Sequence, residues 1–169
     1  DGQPPNGIEN GPIAMATNPV NGYIYVATSW RGDVENNNGV TILDGTHVVA
    51  HVSTGSTPHY PEAIAINPET GRVYVANSES NLVTVISHTT VINQIPVDDT
   101  PVALAVDSIH GFIYVANRAS HTVSILDEES GLVLESIPVG NTPVAVYADA
   151  LAGRAYVVNR TGNSVSVID

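Results

Sequence analysis

Six histidines, 17 acidic residues and five arginines are the groups with which this 169-residue chain could move protons, hold a cation or bind an anion; it has neither cysteine nor lysine. Without cysteine there is no thiolate catalysis, no disulfide, no zinc site of the Cys type and no covalently attached haem. The histidines (His47, His51, His59, His88, His110 and His121) are dispersed, and only His47 and His51 stand four positions apart. On a strand that spacing puts them on one face about 13 Å apart, too far for a shared metal. Asp33, Glu35 and Asn36 offer three oxygen ligands in a short stretch, and calcium is the ion they would take, although the order of an EF-hand loop is missing. Arg118 and Arg160 follow Asn117 and Asn159 at equivalent places and, with Arg31, would line a small anion site. Asn159-Arg160-Thr161 fits the N-glycosylation pattern. No nucleophile elbow, zincin, phosphate-loop or dinucleotide fingerprint occurs, so no catalytic residue and no obligatory cofactor is expected.

What positions these groups is a repeat. A Gly, one or two bulky residues and then Tyr-Val-small recurs from Gly22, Gly71, Gly111 and Gly153, and Tyr25, Tyr74, Tyr114 and Tyr156 lie 49, 40 and 42 residues apart. Self-similarity at that period belongs to arrays of supersecondary units. Inside each unit apolar residues alternate by two, the period of a strand, and no segment sustains the 3.6 period of a helix. The third unit reads most clearly, with strands expected over 101–107, 112–117, 121–127 and 132–139. Val73, Tyr74, Val75 and Ala76 are apolar on both faces, as expected of a strand covered by a sheet on each side. The first strand of the first three units keeps alanine at alternate positions (Ala14 and Ala16, Ala63 and Ala65, Ala103 and Ala105), which suits convergence on an axis. The fourth carries Pro96 or Pro138 and several polar residues, and belongs on an outer edge.

Pro-x-Ala-x-Ala-x-(Asn/Asp), Gly-x-x-Tyr-Val-Ala-Asn, Thr-Val-Ser-Ile-Leu-Asp and Ser-Ile-Pro-Val-Gly-Asn-Thr-Pro together resemble the YVTN-type β-propeller repeat of surface-layer and periplasmic proteins. The resemblance covers about residues 12–169. It implies an all-β propeller of four-stranded antiparallel blades, here over about 12–54, 61–97, 101–139 and 143–169, in a single propeller segment, 1–169. It also implies an extracytoplasmic home in secretion, surface layer or periplasm. It fixes no single activity, because similar propellers serve as scaffolds, binding modules, lactonase-like enzymes and subunits of periplasmic redox enzymes.

The copies differ in informative places. Relative to the 40-residue spacing, the first unit has six extra residues between strands two and three and three more before the next unit, and the third has two extra in its last hairpin. In a meander, the loops between strands two and three emerge with the blade-to-blade connections on one face, and the other hairpins emerge opposite. Both insertions of the first unit therefore rise together. They carry Trp30, Arg31 and the Asp33/Glu35/Asn36 trio in one loop, and His59 and Tyr60 in the other. Binding residues gather on loops held by a rigid scaffold, so this face is the expected contact surface, with Trp30, Arg31, His59, Tyr60, Arg118 and Arg160 as candidates.

A formal charge of −12 repels phosphate backbones and anionic membranes, and no run approaches the length of a membrane helix. Nucleic acid and membrane insertion are not expected. The leading reading is a non-catalytic scaffold or recognition module with a protein or carbohydrate partner at the cell surface. The alternative is the propeller portion of an enzyme, lactonase-like or a periplasmic redox subunit, whose reacting groups lie elsewhere. Ser164 to Asp169 aligns with Thr122 to Asp127, so the fourth unit lacks an outer strand. The expectation is a piece of a larger, seven-blade-like ring. A ring completed by other copies and a compact four-blade closure are the alternatives.

Overall fold

A computed structural model describes residues 11–29, 38–55 and 60–169. They form fifteen strands and no helix, gathered into four antiparallel meanders. The first blade is β1 (Gly11–Thr17), β2 (Ile24–Ser29), β3 (Gly39–Asp44) and β4 (His47–Val52). The second is β5 (Pro61–Ile66), β6 (Val73–Asn77), β7 (Leu82–Ser87) and β8 (Thr90–Pro96). The third is β9 (Pro101–Asp107), β10 (Phe112–Asn117), β11 (Thr122–Asp127) and β12 (Val133–Pro138). The fourth has three strands, β13 (Pro143–Asp149), β14 (Arg154–Asn159) and β15 (Ser164–Ile168).

The turns follow the repeat. Gly22, Gly71, Gly111 and Gly153 all have positive φ, between 64 and 77°, where a side chain would clash with the backbone. The third strand of the third blade begins one residue later than the alternation implies, because His121 sits at φ 59° and belongs to the turn. Asn81 and Asn163 hold the equivalent left-handed position in their blades. Each first strand also shifts register beside its proline, between Pro61 and Ala63 for example, since proline has no N–H to offer the ladder.

Packing explains the two-faced apolar strands. Tyr25, Val40 and Ile42 of the first blade meet Val73, Val75 and Ile86 of the second. Tyr74, Val83 and Val85 meet Ile113, Val115 and Leu126 across the next seam. Tyr114 and Val123 meet Ala155, Val157 and Ile168 across the last. The core is thus a series of seams between blades. The alanine-bearing strands β1, β5, β9 and β13 lie side by side in that order, and the fourth strands expose Val48, Ile92 and Leu134 at the rim. The described residues do not close into a ring, so the compact four-blade closure does not occur. On the fourth blade the face turned away from the third leaves Tyr147 66% exposed, with Val165 and Val167 beside it.

Candidate functional site

Of the residues expected on the contact face, Trp30, Arg31, Asp33, Glu35, Asn36 and His59 lie outside the described residues; Tyr60, Arg118 and Arg160 are placed. A repeated hydrogen bond fixes the last three. The backbone N–H groups of Ser78, Arg118 and Arg160 donate to the carbonyls of Tyr60, Thr100 and Thr142, each at 2.8–2.9 Å, so in the second, third and fourth blades the loop between strands two and three is tied to the connection ahead of its own blade. A second tie braces the connection itself: Asn81 Oδ1 accepts the Thr100 N–H at 2.9 Å, and His121 Nδ1 accepts the Thr142 N–H at 3.0 Å. Arg118 and Arg160 are exposed, and neither guanidinium meets a carboxylate among the described residues. Asn159, by contrast, is 1% exposed and donates to Ser164 and Ser166, so its side chain is not presented to a glycosyltransferase. His47 and His51 do lie on one strand, where His51 Nδ1 meets Thr41 Oγ1 at 3.2 Å.

The opposite face holds the better-organised polar clusters, and sequence reasoning passed over them. At the seam between the second and third blades, the hairpin after β11 reaches across to the turn after β5. Glu128, 9% exposed, accepts hydrogen bonds from Asn67 Nδ2 at 2.5 Å and Thr70 Oγ1 at 2.8 Å. Arg72 Nη1 donates to the Glu128 carbonyl at 2.7 Å and stands 3.8 Å from its carboxylate. Arg154, at the corresponding turn of the fourth blade, pairs with Asp169 at the end of the neighbouring strand of its own blade. The Tyr74 hydroxyl lies beneath this network, and burial first, then the Glu128 charge, pushes its pKa well above the usual phenol range.

One seam further on, Asp107 is buried and caps its own turn: Oδ1 accepts the N–H groups of Ile109 and His110, and Oδ2 takes His110 Nδ1 at 2.8 Å. Asn18 and Asn67 cap their turns from the same position, so the carboxylate replaces an amide and recruits a histidine three residues on. His110 stacks on Phe112 with ring centroids 6.5 Å apart, at the edge of a cavity of about 270 Å³ that Tyr114 also lines. Burial, then the charge of Asp107, raises the Tyr114 pKa. The Asp107 carboxylate at Nδ1 orients the His110 ring beside the cavity, the kind of positioning a catalytic imidazole needs. The readable signals were Asp where the first two copies have Asn, followed three residues on by His110, and the two-residue lengthening of the hairpin that carries Glu128.

Solved structures share the arrangement of blades. Hydrazine synthase from Kuenenia stuttgartiensis matches 97% of the chain at 21% identity and TM-score 0.79; a functionally unknown protein from Desulfotomaculum acetoxidans DSM 771 matches 94% at 12% and 0.71. The β-propeller domain of Cps50 (Swd1) from Myceliophteria thermophila matches 93% at 6% identity and 0.71. The chain has a β-propeller fold. At these identities the likeness concerns fold alone, and the chain spans 49%, 55% and 53% of the three matched chains. No family model and no curated protein matches the sequence.

Proposed function

We propose that this propeller is a non-catalytic recognition scaffold of the YVTN type, working outside the cytoplasm and presenting the loops between strands two and three to a carboxylate-bearing protein or carbohydrate at a cell surface. One observation carries the reading. Arg72 and Arg154 on the opposite face are consumed by Glu128 and Asp169, whereas Arg118 and Arg160 stand at the same position of successive blades, on braced loops, without a carboxylate partner among the described residues. In a chain of net charge −12, two exposed guanidiniums left unpaired at a repeat spacing fit recognition of an acidic partner. The sequence expectation that Trp30, Arg31, His59 and Tyr60 contribute contacts, and that Asp33, Glu35 and Asn36 would take calcium, belongs to the same proposal. The half-length match to its neighbours supports a place within a larger ring.

The test is binding to immobilised alginate, with neutral dextran as control, for the protein and for Arg118→Ala/Arg160→Ala. Saturable binding to alginate that the double variant loses supports the reading. Equal binding by the variant, or none by either protein, overturns it.

A second reading, the propeller portion of an enzyme, is favoured by the Asp107–His110 pair at a cavity, which would put a reacting group within this segment rather than elsewhere as the sequence suggested. His110→Ala distinguishes them: it leaves alginate binding intact in the first and abolishes turnover in the second.

A further inference from the structure

The hairpin between β11 and β12 is two residues longer than the one between β7 and β8, since Leu126 pairs with Val133 where Ile86 pairs with Val91. That difference changes what the buried tyrosine of the preceding blade meets. Tyr25 is fully engaged: its hydroxyl donates to the His88 carbonyl in the short hairpin at 2.9 Å and accepts from Asn21 Nδ2 at 3.1 Å. Tyr74 occupies the same position one blade on, is 2% exposed, and its hydroxyl has no hydrogen-bond partner. Thr70, which replaces Asn21, turns to Glu128 instead, and the longer hairpin arches over a cavity of about 160 Å³ that Tyr74 lines. By volume that space holds about five waters.

We propose that this cleft between the second and third blades binds a small organic cation, a primary ammonium on a short alkyl chain. Three features select that chemistry. The charged lining is Asp127, Glu128 and Glu129 against Arg72 alone, an excess of negative charge. Both Glu128 oxygens are already occupied and Arg72 is held by the same residue, which leaves Glu129 and the outer oxygen of Asp127 to meet a cation. The apolar part of the lining, Val85, Ile92 and Ile95, suits methylenes. The buried Tyr74 hydroxyl, left without a partner, offers its lone pairs to an N–H donor. The site lies on the face opposite Arg118 and Arg160, so it stands or falls independently of the recognition role.

The experiment is calorimetric titration of the protein with n-butylammonium chloride at low salt, with 1-butanol, sodium butyrate and calcium chloride as comparisons. Saturable binding of the ammonium is expected, with 1-butanol and butyrate at least about tenfold weaker, the scale of one charge-assisted contact. Glu129→Gln, on the exposed hairpin, and Tyr74→Phe should each weaken binding about tenfold, with circular dichroism confirming that both variants stay folded. The proposal is overturned if the ammonium gives no saturable heat, if 1-butanol binds as well, if calcium binds and displaces it, or if Glu129→Gln has no effect. A cavity holding only water would give the first of these results.

Discussion

Replacing Tyr25 and Tyr74 separately by phenylalanine should separate two residues that the sequence treats as copies. Tyr25→Phe leaves the Asn21 amide and the His88 carbonyl without their shared partner. Two ordinary hydrogen bonds at about 1 kcal/mol each put the loss near 2 kcal/mol. Tyr74→Phe removes a buried hydroxyl that bonds to nothing, so the native state sheds a desolvated polar atom; stability should stay level or rise by up to about 1 kcal/mol. For a domain of this size 1 kcal/mol moves the melting temperature by about 2–4 °C. Tyr25→Phe should therefore melt about 4–8 °C lower and Tyr74→Phe no lower than the parent, by calorimetry in ammonium-free buffer. Equal depression by both variants would show that Tyr74 has a partner in the apo protein, and the account of the longer hairpin would fail.

Leu126→Ala, in the seam between the second and third blades, should cost about 2–5 kcal/mol in urea unfolding, whereas Leu132→Ala, 64% exposed in the hairpin, should stay within about 0.5 kcal/mol. Gly39→Ala places a Cβ 2.4 Å from the Val52 carbonyl oxygen and should destabilise by at least about 1–3 kcal/mol in the same assay. Tyr74 and Tyr114 have folded pKa values above their unfolded value of about 10, so the folded state holds the extra protons and their contribution is intact below pH 10. Stability should then fall as pH rises past about 10, by up to about 1.4 kcal/mol per pH unit for each tyrosine, and Tyr74→Phe should make that fall shallower. His121→Asn should preserve the brace on Thr142 as Asn81 does for Thr100, while His121→Ala should cost about 1 kcal/mol or more.

Strand number, order and the outer edge could be read from the chain because they depend on local patterns. Tyr-Val-Ala-Asn is apolar on both faces, and β6 is buried at every position. Its counterpart in β14, Tyr-Val-Val-Asn, alternates in exposure, since no further blade covers one side of it among the described residues. The polar sites were harder to read because they are built between blades. Glu128 is 58 residues from Thr70 and 61 from Asn67, and nothing local announces that pairing. The two-residue insertion that produces it looked minor beside the nine residues added to the first unit. Asn159 misled in the opposite direction: its glycosylation pattern is local, but its burial against Ser164 and Ser166 is set by the strand pairing.

Each apolar cluster draws on two neighbouring blades, and none belongs to a single one. A blade by itself is therefore a two-sided apolar sheet with nothing to bury either side against, and cooperativity must pass from seam to seam. The smallest piece able to nucleate is a pair of blades, after which each arriving meander adds one interface at nearly constant gain. Amide exchange should record that hierarchy: slowest in β6, β7, β10 and β11, which have a seam on each side, and fastest in the two flanking blades, which open first and do so independently of one another.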